Sequence, residues 1–100
     1  MTQTMSKTTR AFDAANYLDS EDAVIGYLDA TLEEGDPVQF AHALGTIARS
    51  QGMTEIANRT GVKRQALYHA LSEAGNPTLS TLTAVLDALG LRLKIERKAA

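Results

Sequence analysis

A chain of 100 residues with 44% hydrophobic side chains is the size of one domain with a core of its own, and no apolar run approaches the roughly 20 residues that a membrane-spanning helix needs. The absence of cysteine excludes disulfides and thiolate metal sites, and the polar opening Met1 to Arg10 lacks the apolar segment of a secretion signal, so a cytoplasmic protein with no membrane partner is expected. The net charge of −2 conceals an asymmetry: residues 1–52 sum to −5 and residues 53–100 to +3. The later half therefore favours a polyanion and the earlier half a basic surface, although an acidic run is also the ordinary solvated face of a helix.

Residues 1–10 carry no hydrophobic pattern and are expected to be disordered. Residues 11–35 read as an N-terminal extension with one helix. Phe12, Tyr17 and Leu18 are apolar enough to dock on something, and Ser20 is a capping residue followed by Glu21 and Asp22 where the helix dipole favours anions. Val24, Ile25, Leu28 and Leu32 then recur at helical spacing until Gly35. Asp36-Pro37 begins the next helix: aspartate caps, proline suits the first helical position, and Gln39 is placed to complete a capping box. That helix should bury Phe40, Ala43, Leu44 and Ile47 and end before Gly52.

The stretch from Met53 to Ser72 reads as two short helices hinged at Gly61, with Thr54 as N-cap of the first and Glu55 in its first turn. Gly61 takes a positive φ at no steric cost, which suits a turn that ends a helix. A helix-turn-helix needs a small residue where the two helices cross, and Ala57 stands four positions before the glycine. Ile56, Val62, Leu67 and Leu71 should face inward, with Val62 packing on Leu67 as a hydrophobic staple around a cap at Lys63. Lys63 is a poor cap and a cation on the wrong end of the dipole, at a cost of about 1 kcal/mol. Two explanations stand side by side: a DNA phosphate as its ligand, or a solvated lysine.

The outer side of the second helix is left with Lys63, Arg64, Gln65, Tyr68, His69 and Ser72. These side chains suit double-stranded DNA. Arginine matches guanine O6 and N7 and glutamine matches adenine N6 and N7, so Arg64 and Gln65 are expected to enter the major groove first. Tyr68, His69 and Ser72 lie further along the same side, and Thr54 and Asn76 sit where a helix start and the next loop can meet the DNA backbone. The competing reading is an ordinary polar helix face, with the Tyr68 ring tucked against the last helix instead.

The run Glu73-Ala74-Gly75-Asn76-Pro77 is turn chemistry, after which Thr78 caps a helix striped by Leu79, Leu82, Val85, Leu86 and Leu89 and stopped by Gly90. From residue 91 to 97 the period changes: Leu91, Leu93 and Ile95 alternate with Arg92, Lys94 and Glu96, which predicts a short C-terminal β-strand. A lone strand needs a partner, whether from the N-terminal residues, a second subunit or another protein. The expected fold is thus all-α, about five helices with that strand appended, and residues 36–90 form the helix-turn-helix domain. No metal or cofactor is expected, since His42 and His69 lie 27 positions apart with no ligand spacing between them. The Glu21-Asp22 and Glu33-Glu34 pairs lack a nearby histidine or glycine-rich loop, so no enzyme is expected either.

Four helices from Asp36 to Leu89, with the hinged pair second and third, resemble the DNA-binding domain of Cro/C1-type (XRE-like) repressors. A narrower resemblance runs through YLDSE (Tyr17 to Glu21), LEEGDP (Leu32 to Pro37), ALGTIARSQGMTEIA (Ala43 to Ala57), LYHALSEAGNPTLSTL (Leu67 to Leu82) and ALGLRL (Ala88 to Leu93). In that order these motifs are similar to the HigA-like addiction-module antidotes. The resemblance implies the antitoxin of a type II toxin–antitoxin pair, which silences a RelE/ParE-like toxin and represses its own operon as a homodimer on a near-palindromic operator. A stand-alone Cro/C1-type repressor without a toxin is the alternative.

Overall fold

The computed structural model describes residues 20–72 and 74–99, so the expectations for residues 1–10 and for Phe12, Tyr17 and Leu18 lie outside the described residues. The described residues form five helices: α1 (Glu21–Glu34), α2 (Pro37–Gln51), α3 (Met53–Thr60), α4 (Arg64–Ala70) and α5 (Leu79–Ala88). α1 packs on α2, and α3 lies centrally, touching α2, α4 and α5.

Local chemistry sets most helix ends. The Ser20 hydroxyl accepts from the Ala23 amide at 3.1 Å, and Gly35 closes α1 in the left-handed region. The Asp36 carboxylate caps α2 by accepting from Val38 at 3.0 Å, so the bond expected for Gln39 in a capping box goes to the residue before it. Thr78 accepts from the Thr81 amide at 3.1 Å and starts α5.

Gly52 overturns the expected cap at Thr54. Its N–H bonds the Ala48 and Arg49 carbonyls that end α2, while its own carbonyl accepts from Ile56 and starts α3. One residue serves both helices. α3 therefore begins at Met53 with no side-chain cap, and Thr54 is already inside the first turn.

The core draws on every helix. Leu44, Ile47, Ile56, Leu67, Leu71 and Val85 are its largest fully buried side chains, each stabilising the fold by about 1.5–3 kcal/mol relative to exposure. Half-buried Ala57, Val62, Leu82 and Leu89 pack against them, and among the described residues no polar or charged side chain is buried. Two expected inward stripes are narrower than the periodicity suggests. On α1 only Val24 and Leu28 are buried, because α2 is its main neighbour and leaves Ile25 and Leu32 exposed at the flanks. On α5 burial grows toward the C-terminal end, and Leu79, at the first position, is 70% exposed.

The predicted strand over 91–97 is not formed among the described residues. The Gly90 amide bonds the Asp87 carbonyl and the Leu91 amide bonds the Leu86 carbonyl, a paired closure that ends α5 and turns the chain away. Beyond Leu91 the backbone makes no bond to another described segment. Strand structure exists only through a ladder, so a two-residue period without a neighbouring strand remains a pattern of side chains.

Candidate nucleic-acid interface

Gly61 has φ 76° and its amide bonds the Ala57 carbonyl at 2.9 Å, which ends α3 there. The Thr60 hydroxyl then accepts from the Val62 amide at 3.2 Å, and the Lys63 carbonyl receives the first α4 bond, from Leu67, at 3.0 Å. Three residues, Gly61 to Lys63, thus join α3 to α4. Val62 and Leu67 both join the core on either side of Lys63, the arrangement of a staple. Lys63 occupies the N-cap of α4 and makes no side-chain capping bond.

α4 is anchored along one narrow line. Leu67 is fully buried within it and Leu71 just past its end, while Arg64, Gln65, Ala66, Tyr68 and His69 are exposed. Tyr68 is 38% exposed, so its ring stays on the outer side. The Arg64 guanidinium lies over that ring, 5.7 Å from its centroid, and its Nη1 donates to the Thr54 hydroxyl at 3.3 Å. Thr54, Arg64 and Tyr68 are thereby brought together, with Lys63 and Gln65 beside them in the chain. Ser72 departs from the expected face: it follows the end of α4, is half-buried, and its hydroxyl donates to the His69 carbonyl at 2.8 Å. Asn76 is exposed on the connection to α5.

This surface carries Lys63 and Arg64 and no acidic residue on α4 itself. On α3 the one carboxylate, Glu55, is paired with Arg59 at 2.9 Å. Arg59 also donates to the Ala88 carbonyl at 3.0 Å, so it ties α3 to the end of α5. No group of three or more His, Asp or Glu side chains among the described residues is arranged to hold a metal ion, and no described helix is long and apolar enough to cross a membrane.

The model of a family described as "Probable addiction module antidote protein" matches residues 8–97. The chain belongs to that family. A Haemophilus influenzae protein described only as uncharacterized is 39% identical over 93 residues, covering 93% of this chain and 96% of that protein. No solved structure matches.

The exposed surface of this antidote family member includes one residue that residue-type reasoning passed over. Ala66 is exposed between Gln65 and buried Leu67. A methyl group there is the type of contact that thymine C5-methyl accepts, but a lone alanine in a sequence gives no polar signal to mark it.

Proposed function

We propose that this chain is the antitoxin of a type II toxin–antitoxin module, HigA-like, with a Cro/C1-type helix-turn-helix that binds double-stranded DNA and represses its own operon. The carrying observation is α4, joined to α3 through Gly61 and presenting Arg64 and Gln65 outward from the first turn. Family membership supports an antidote over a stand-alone repressor. The toxin partner in this reading is a basic, RelE/ParE-like chain.

In the mechanism, Arg64 and Gln65 reach base edges in the major groove, while Lys63 and the uncapped amides at the start of α3, around Thr54, meet phosphates. Tyr68 and His69 lie one turn further along, and Asn76 meets the backbone from the loop; Ser72 serves through its bond to the end of α4. Arg64 must leave its resting contacts to do this. An exposed stack on an aromatic ring is worth about 0.5–1 kcal/mol, whereas a bidentate pair with guanine discriminates by about 1–3 kcal/mol, so the exchange favours DNA. Two copies on a near-palindrome place their α4 helices about one DNA turn apart.

Binding to the DNA just upstream of its own gene, measured by fluorescence anisotropy at fixed salt, tests the reading. Arg64→Ala and Gln65→Ala are each expected to lose about 1–3 kcal/mol at the cognate site and to relax its sequence preference. Wild-type affinity in both variants removes the assignment.

A further inference from the structure

Past the end of α4 the chain doubles back against that helix more closely than a Cβ allows. A Cβ on Gly75 would overlap the carbonyl oxygens of His69 and Ala70 and lie 2.6 Å from the Ala70 carbonyl carbon, whereas ordinary contact begins near 3.4 Å. All three are backbone atoms, so no side chain can swing aside to make room. Hydrogen bonds hold the approach in place. The Gly75 amide donates to the Ser72 carbonyl at 3.0 Å, and the Ser72 amide and hydroxyl donate to the His69 carbonyl at 3.2 and 2.8 Å. A second glycine meets the same end of α4: a Cβ on Gly45 of α2 would lie 2.8 Å from the carbonyl oxygen of fully buried Leu71.

We propose that Gly75 is a positioning residue for DNA reading, which fixes the base-reading side of α4 against the loop that carries Asn76. Of the residues assigned to DNA above, Arg64, Gln65, Tyr68 and His69 belong to α4, while Asn76 follows Gly75 directly. The backbone contact at Gly75 therefore sets the spacing between base readout and the phosphate contact from the loop.

α4 is seven residues, about 10 Å long, and Leu67 is its one buried side chain. A push on the last turn consequently swings the helix about Leu67 and carries Arg64 and Gln65 with it. Any side chain at position 75 forces the last turn and the loop apart by roughly 1 Å, whereas a binding constellation works only within about 0.5 Å of its productive geometry. This role rests on the DNA reading above and adds to it what sets the angle of α4.

Fluorescence anisotropy of the full chain on the DNA upstream of its own gene, and on copies with one base pair changed, gives a ratio of affinities. Gly75→Ala should lower that ratio by about tenfold, the worth of one misplaced bidentate pair. Partial unfolding alone would scale both affinities by the same folded fraction and leave the ratio untouched. Gly45→Ala, with its milder overlap, should lower the ratio by about threefold and carries the test where Gly75→Ala does not fold. Gly26→Ala, at a glycine with open space around it, should keep the wild-type ratio. Without DNA, residual dipolar couplings should show α4 of Gly75→Ala turned by about 5° or more relative to α2 and α3. An unturned α4, or a ratio equal to wild type, overturns the proposal. A wild type that does not discriminate overturns the DNA reading itself, and the two failures are told apart by which protein shows them.

Discussion

Lys63 is the residue whose local cost asks for a compensating use. It holds the N-cap of α4 without a capping bond and sets a cation against the positive end of the helix. Serine there would accept from an amide of the first turn, so Lys63→Ser is expected to stabilise the fold by about 1 kcal/mol, raising the melting temperature by about 4–8 °C. The same change removes the proposed phosphate contact. It should weaken operator binding and lower the slope of log affinity against log salt by about 1. Thermal melts and a salt titration read the two effects separately, and a stabilised variant with unchanged salt slope identifies a merely solvated lysine.

At the scale of elements, the close approach of α2 to the end of α4 limits what α2 can carry. A Cβ on Gly45 would lie 2.8 Å from the Leu71 carbonyl oxygen and 3.0 Å from the Leu71 Cβ. Helix propensity favours alanine over glycine by about 1 kcal/mol, but Leu71 is fully buried and can yield only by shifting a backbone, at about 1–3 kcal/mol. Gly45→Ala should therefore lower the urea midpoint despite being the better helix former. α3 and α5 are joined differently, by Arg59. Its ion pair with Glu55 is exposed and contributes little, whereas its part-buried bond to the Ala88 carbonyl contributes about 1 kcal/mol. Arg59→Ala should cost that amount in urea unfolding, and Glu55→Ala clearly less.

At the scale of the whole molecule, the acidic run of α1 and the Lys63-Arg64 pair sit on different elements. Glu21, Asp22, Asp29, Glu33 and Glu34 are exposed on α1, which packs on α2, while Lys63 and Arg64 are exposed at the start of α4, which packs on α3. A basic partner on α1 would leave α4 open to DNA. Co-expression with the product of the adjacent gene is expected to rescue growth from that product's toxicity, and Arg64→Ala should rescue as well as wild type because it alters only the proposed DNA surface. Colony counts under induction give the answer; absence of rescue by the wild type leaves the stand-alone repressor.

Much of this architecture was legible in local chemistry. Ser20, Asp36 and Thr78 cap with their own side chains, and Gly35, Gly61 and Gly90 take positive φ where a helix must end, so each boundary is a matter of a few neighbouring residues. The outward set on α4 followed from helical spacing once Leu67 and Leu71 were assigned inward. What spacing does not contain is the length and position of the neighbour. Ile25, Leu32 and Leu79 satisfy a helical stripe yet remain exposed, because α2 and α3 cover only part of it. Gly52 shows the same limit in a different form: serving two helices at once, it displaced the cap expected of Thr54.

The amino-acid sequence by itself determined most helix ends and the outward placement of Arg64, Gln65, Tyr68 and His69 on α4, since capping, glycine conformation and helical period act over a few residues. Only the tertiary structure decided how wide each buried stripe is, that Gly45 must be small, and that residues 91–97 carry the period of a strand without the strand. Those outcomes depend on what another element brings to the same place, and a ladder or a packed face requires two partners.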